Sequence, residues 1–254
     1  MGLAEAMSAT MIVTGGSRGI GAATSLLAAA RGYAVAVNYV NDELAAVSVV
    51  NQIRESGGRA IAVRADISKG SDVGMLFQTV DAAFGRLDVL VNNAGIVDRK
   101  ARVEEMTEAR LIRMLGTNVI GSMLCAAEAV RRMSTGRGGQ GGCIVNVSSA
   151  ASRLGSPNEY VDYAAAKAAI DTFTIGLAKE VAAEGIRVNA VRPGIIATEI
   201  HASGGDPDRA QRLASELPMQ RVGTAVEVAR AILWLGSAES SYCTGTILDV
   251  AGGR

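Results

Sequence analysis

Short, nearly unbroken apolar runs recur along this 254-residue chain, beginning with Met11-Ile12-Val13 and returning at 32–39, 60–66, 87–91, 143–147, 186–191 and 246–250. Between them lie longer stretches in which apolar residues return at helical spacing: 22–31, 42–55, a stretch ending at Phe84, 107–133, a stretch beginning at Tyr163, and 226–235. An apolar run without polar alternation reads as a strand buried on both faces. Strands of this kind alternating with helices predict a parallel sheet covered on both sides. The expected fold is therefore one α/β domain, a doubly wound sheet of about seven parallel strands. No linker or shift in composition divides the chain. Residues 1–7 are expected to be flexible, and residues 195–218 to form a lid.

In such a sheet, ligands gather beyond the carboxyl ends of the strands, where strand order reverses. Several polar or glycine-rich segments follow strands and should converge there. They are Thr14-Gly15-Gly16-Ser17-Arg18-Gly19-Ile20-Gly21, Asp66, Asn92-Asn93-Ala94-Gly95, Ser148-Ser149 and Pro193-Gly194. The first leads directly into a helix. Its glycines let the backbone approach a pyrophosphate, and the helix start offers free N–H groups and a positive dipole end. Its spacing is Gly-x-x-x-Gly-x-Gly rather than the dinucleotide fingerprint Gly-x-Gly-x-x-Gly.

Tyr163-Ala164-Ala165-Ala166-Lys167 puts a phenol and an ammonium one helical turn apart on one face. A phenol with a pKa of ~10 is a weak acid at neutral pH. A neighbouring ammonium is expected to lower it, which suits proton transfer to or from an alcohol. The plain alternative is a packed tyrosine and a solvated lysine.

Composition removes several other classes. The 25 basic and 25 acidic residues balance, which leaves no nucleic-acid footprint. No apolar run approaches the ~20 residues of a membrane span, and residues 1–7 carry Glu5 and no basic n-region. Cys125, Cys143 and Cys243 are scattered, and His201 is the only histidine. No metal site, disulfide framework or histidine triad is expected. A cytoplasmic setting is the expectation.

With these motifs in order, residues 11–253 resemble the short-chain dehydrogenase/reductases, nearest to 3-oxoacyl carrier-protein reductases and glucose dehydrogenases. The resemblance implies a Rossmann fold, hydride transfer between NADP(H) or NAD(H) and a small carbonyl or alcohol substrate, and a homotetramer. It implies Tyr163 as acid/base, Lys167 beside it on the nicotinamide ribose, Asn118 anchoring a water chain, and a serine on the substrate oxygen. That serine usually stands thirteen residues before the tyrosine, where this chain has Ala150. Ser149 is the expected residue and Ser148 the runner-up, with one extra residue inserted between 150 and 162. Cofactor contacts implied by position are Gly15, Ser17, Arg18, Gly19, Ile20, Gly21, Asn38, Asp66, Ile67, Asn92, Ala94, Gly95, Pro193, Gly194, Ile196 and Thr198, with Tyr163 and Lys167.

NADP is expected over NAD, because the second strand ends Val37-Asn38-Tyr39 with no acid before Asp42, and Arg18 in the glycine loop can pair with a phosphate. Asp42 can still approach from the next helix. The resemblance implies that Asp66 bonds the adenine amine; the alternative is that it caps the following helix. Arg131, Arg132 and Arg137 either meet an acidic carrier protein or are a solvated helix end. A helix is expected to start at Asp206-Pro207. Two other functions stay open: a 3-oxoacyl carrier-protein reductase, and an NADP-binding sensor or scaffold without turnover.

Overall fold

The apolar runs become β1 (Thr10–Val13), β2 (Ala34–Tyr39), β3 (Arg59–Arg64), β4 (Val89–Asn92), β5 (Gly142–Val147), β6 (Ile186–Pro193) and β7 (Ile247–Val250) in a computed structural model. The structure describes residues 8–199, 204–206 and 208–254. All adjacent strands pair in parallel, in the order β3-β2-β1-β4-β5-β6-β7. Strand order reverses between β1 and β4, so the crevice outside their carboxyl ends is where a ligand site belongs.

Side chains alternate across the pleat and feed two cores. Met11, Val13, Val35, Val37, Val91 and Val145 face α1 (Gly19–Ala30), α2 (Glu43–Glu55) and α9 (Ala225–Leu235). Ile12, Ala36, Leu90, Ile144 and Val188 face α3 (Gly70–Phe84), α5 (Ser122–Met133) and α7 (Val161–Val181). Ile12 and Leu90 have no exposed surface; truncating either to alanine costs about 2–5 kcal/mol, through lost burial and the cavity left behind.

Local chemistry sets the helix starts. Asp42 caps α2 by accepting from the Ala45 N–H at 3.0 Å. Thr224 and Glu227 form a capping box on α9. Thr107 caps α4 (Glu108–Leu115).

The helical stretch expected over 107–133 is interrupted. A π-helical turn, Gly116–Gly121, joins α4 to α5 and carries Asn118 inward. The short α6 (Ala151–Leu154) precedes α7, and α8 (Arg209–Leu213) starts later than expected from Asp206-Pro207. Residues 1–7, His201 and part of the expected lid lie outside the described residues. No helix among the described residues is long and apolar enough to cross a membrane.

Candidate active site

The carboxyl edge of the sheet encloses a cavity of about 400 Å³. Its floor is the glycine loop. Thr14 Oγ1 accepts from the Asn93 and Ala94 N–H groups, each at 3.0 Å. The Asn93 amide donates to the Thr14 and Gly15 carbonyls at 2.9 and 3.0 Å. These four bonds latch the turn after β1 to the turn after β4. The latch leaves no room at Gly21, where a Cβ would come within 2.2 Å of the Gly15 carbonyl oxygen. The α1 N-terminus has no side-chain cap and no acid in its first turn. Gly15, Ser17, Gly19 and Ile20 line the cavity there, the arrangement an anionic diphosphate requires.

At the other end lie Tyr163, Lys167 and Ser149. Ser149 Oγ accepts from the Ala151 N–H at 3.1 Å, and its hydroxyl lies near enough to the Tyr163 phenol to favour the phenolate. Ser148 is turned elsewhere, its buried hydroxyl donating to the Lys167 carbonyl at 3.2 Å and fastening α7 to the end of β5. Lys167 is buried, donates to the Val147 carbonyl at 2.7 Å, and holds its nitrogen 5.6 Å from the Tyr163 ring centre. Gly95 leaves the space above it. A Cβ at Gly95 would stand 2.8 Å from Asn118 Oδ1 and 3.4 Å from Lys167 Nζ.

The electrostatics correct one expectation. Burial pushes the Tyr163 phenol up to about 12, and the Ser149 hydroxyl draws it only partly back. Burial also brings Lys167 down to about 8, against the pull of Asp171. Enclosure dominates, and Tyr163 stands as a neutral phenol, the form that gives up a proton to a developing alkoxide.

Residues 15–254 match the family model described as enoyl-(acyl carrier protein) reductase. An oxidoreductase of Escherichia coli strain K12, YgfF, is 57% identical over 246 residues, covering 97% of this chain and 100% of that protein. The chain belongs to the short-chain dehydrogenase/reductase family. A 3-oxoacyl-[acyl-carrier-protein] reductase of Synechocystis is 39% identical over 243 residues, covering 95% of each chain. A blue fluorescent protein from a metagenomic library, solved in complex with NADPH, superposes with a TM-score of 0.87 at 32% identity, covering 96% of this chain and 97% of that one. As a short-chain dehydrogenase/reductase, the protein is an oxidoreductase that binds a nicotinamide cofactor.

Of the expected site residues, Gly15, Ser17, Arg18, Gly19, Ile20, Ala94, Gly95, Ser149, Tyr163, Lys167, Pro193, Gly194, Ile196 and Thr198 line the cavity. Six do not. Gly21 is packed under the loop as described. Asn38 is wholly buried; its Oδ1 accepts from the Gly15 N–H at 3.2 Å and its amide donates to the Ala65 carbonyl at 2.9 Å, so it braces the loop from below. Asn92 donates to Asn146 Oδ1 at 3.0 Å and to the Ser122 carbonyl at 3.1 Å, cross-linking β4 to β5 and α5. Asp66 neither lines the cavity nor caps α3, whose N-cap is Lys69 with no side-chain bond; it accepts from the Ser68 N–H at 3.1 Å and hydroxyl at 2.7 Å in the turn before the helix, and Ile67 is core. Asn118 is sealed off as well: Oδ1 accepts from the Ile96 N–H, and Nδ2 donates to the Ile96 and Met114 carbonyls, each at 3.0 Å.

Two residues of the basic cluster, Arg131 and Arg132, are paired internally, and Arg137 is exposed. Arg131 pairs with Glu128 at 2.5 Å, and Arg132 pairs with Asp81 at 2.8 Å and Glu128 at 2.5 Å.

The inserted loop was expected to bring Glu159, Tyr160 and Asp162 close to the site; their ion-pair partners were not expected. Arg110 grips Asp162 with two bonds, 2.8 and 3.2 Å, in a buried pair beside Tyr163. The insertion before α7 builds a clasp at the cavity edge, where Tyr160 and Arg209 line it. In it, Arg209 holds Glu159 at 2.6 and 2.7 Å, and Lys100 bridges Glu159 at 2.9 Å and Asp206 at 3.0 Å. Arg209 also lies 5.5 Å over the Tyr160 ring. The only sequence signal for the clasp was the extra residue between Ala150 and Asp162.

Proposed function

We propose that the cavity holds NADP(H) in preference to NAD(H), and that the protein interconverts a small carbonyl compound and its alcohol. One observation carries the reading: the Tyr163 phenol, beside Ser149 and next to buried Lys167, shares one cavity with an uncapped, glycine-lined helix start. The nicotinamide, when bound, supplies or takes up the hydride.

The chain's own residues do the rest. Ser149 orients the carbonyl oxygen towards Tyr163, and the neutral phenol gives that oxygen its proton. Lys167 carries positive charge below the phenol, which eases departure of that proton. The α1 N-terminus and the loop N–H groups meet the diphosphate. Arg18, exposed at the cavity edge and 3.8 Å from Asp42, meets the 2′-phosphate. No acid precedes Asp42 at the end of β2, and Asp42 is engaged in capping α2.

A 3-oxoacyl carrier-protein reductase is the second reading, favoured by the likeness to the Synechocystis enzyme. The internal pairing of Arg131 and Arg132 weighs against an acidic carrier docking there. Exposed Leu111, Ile112, Leu115, Ile120 and Met123 form an apolar strip along α4 and α5, consistent with the homotetramer expected of the family.

The test is NADPH oxidation, followed by absorbance, across a panel of free ketones, aldehydes and sugars and a carrier-linked 3-oxoacyl substrate. Turnover of a free carbonyl supports the first reading. Turnover of the carrier-linked substrate alone supports the second.

A further inference from the structure

Tyr163, Lys167 and Asp171 follow one another at one-turn spacing along a single face of α7. The first two belong to the proposed site. Asp171 lies deeper, 6% exposed and away from the cavity lining. Its Oδ2 accepts two bonds from Arg192 on β6, from Nε at 2.9 Å and Nη2 at 2.8 Å. Its Oδ1 is buried and has no partner among the described residues. A buried carboxylate oxygen without a donor is costly, and a second positive charge beyond Arg192 offsets that cost at Oδ1. The Lys167 ammonium has three donors and gives one hydrogen bond, to the Val147 carbonyl, among the described residues.

The surroundings of Lys167 contain few charges. From α7 come Tyr163 and Asp171, and β5 contributes the Val147 carbonyl and Ser148. The π-helical turn contributes uncharged Asn118. Arg192 reaches the site only through Asp171, and on its far side it lies 3.8 Å from Asp249, which Arg153 of α6 holds at 3.2 Å. Asp171 is the one anion that opposes the burial of Lys167. Arg192 is also the residue before Pro193-Gly194, which line the cavity.

We propose that Asp171 is a positioning residue whose carboxylate is the counter-ion of Lys167, with Arg192, by sharing that carboxylate, setting how strongly it acts. The proposal rests on the reading of Lys167 given above. It makes the two partners opposite in sign. Removing the negative charge leaves Lys167 easier to deprotonate; removing the competing guanidinium leaves it harder.

Lys69, Lys100, Lys167 and Lys179 are the only lysines in the chain, so an NMR titration of protein labelled with ε-¹³C lysine reads Lys167 individually, with Lys167→Arg as the assignment control. Asp171→Asn should lower the proton affinity of Lys167 about tenfold. Arg192→Gln should raise it. A loss of packing alone would move both variants the same way or neither. An unchanged midpoint in Asp171→Asn, or a fall in Arg192→Gln, overturns the proposal. Should Asp171→Asn fail to fold, Arg192→Gln decides alone: a rise supports the proposal and its absence overturns it. Because the titration needs no turnover, its failure is separate from failure of the carbonyl-reductase reading, which the substrate panel measures.

Discussion

The floor of the cavity is latched by hydrogen bonds that Asn93 and Ala94 donate to Thr14 and Gly15, and is braced from below by buried Asn38. The mouth is fastened by ion pairs among Lys100, Glu159, Asp206 and Arg209, in which Lys100 is exposed, Glu159 and Asp206 are partly exposed and Arg209 is buried. Hydrogen bonds between buried groups are nearly insensitive to salt, whereas exposed charges are screened over a Debye length of about 10 Å at 0.1 M. A rigid floor fits a constant cofactor, and a screened clasp fits a mouth that must open for substrate. Glu159 is held down to about 2 by the Arg209 bonds, against desolvation and with help from Lys100. The clasp therefore keeps its charges through the neutral range, and salt rather than pH is the lever that loosens it.

The sharpest break in this contrast is at Tyr163, which stands between the two walls. Tyr163→Phe should lower kcat by about 10²–10⁴-fold, the usual worth of a positioned acid. NADPH affinity, set by the floor, should stay within a few-fold by fluorescence titration; unchanged turnover discards the acid assignment.

Next in size is the one ion pair near the mouth that is buried. Arg110→Met strands the Asp162 carboxylate and should cost about 3–5 kcal/mol in chemical denaturation. A loss below 1 kcal/mol, as for an exposed pair, would place Asp162 in water.

Arg18→Ala, at the exposed edge of the floor, should weaken NADPH binding about tenfold, within the range of a charge-assisted bond, and leave NADH nearly unchanged. Equal effects on the two cofactors would remove the argument for NADP.

Glu159→Gln should have the smallest effect on stability, about 1 kcal/mol or less. Its signature is a raised KM at low salt that converges with wild type at high salt. A stability loss matching that of Arg110→Met would erase the distinction between the walls.

The sequence pattern made the sheet legible because strands buried on both faces need unbroken apolar runs, and all seven appear as such. It made the Tyr163–Lys167 pair legible because helical spacing alone puts both on one face. Asn38 and Asn92 were misread for a physical reason. A polar residue at a strand end looks like a ligand contact, yet only the fold decides whether its amide turns to the cavity or to neighbouring backbone. Both turn to the backbone. Asn118 was named from the resemblance alone, and it stands with Lys167 against Gly95, although nothing in its neighbours announces the π-helical turn that carries it inward. The clasp joins residues from Lys100 to Arg209, and no local pattern records a contact of that separation.

The central claim is that this cavity delivers a hydride to a carbonyl while Tyr163 supplies the proton. The most direct measurement is deuterium transfer from NADPH carrying deuterium at the nicotinamide C4 position to a ketone or aldehyde that the panel identifies, read by mass spectrometry of the alcohol. The account predicts one deuterium on the former carbonyl carbon with the wild-type protein, and transfer reduced at least about 10²-fold with Tyr163→Phe. A wild-type protein that binds NADPH yet labels no product across the panel, or a Tyr163→Phe variant that labels it as fast as wild type, would contradict it.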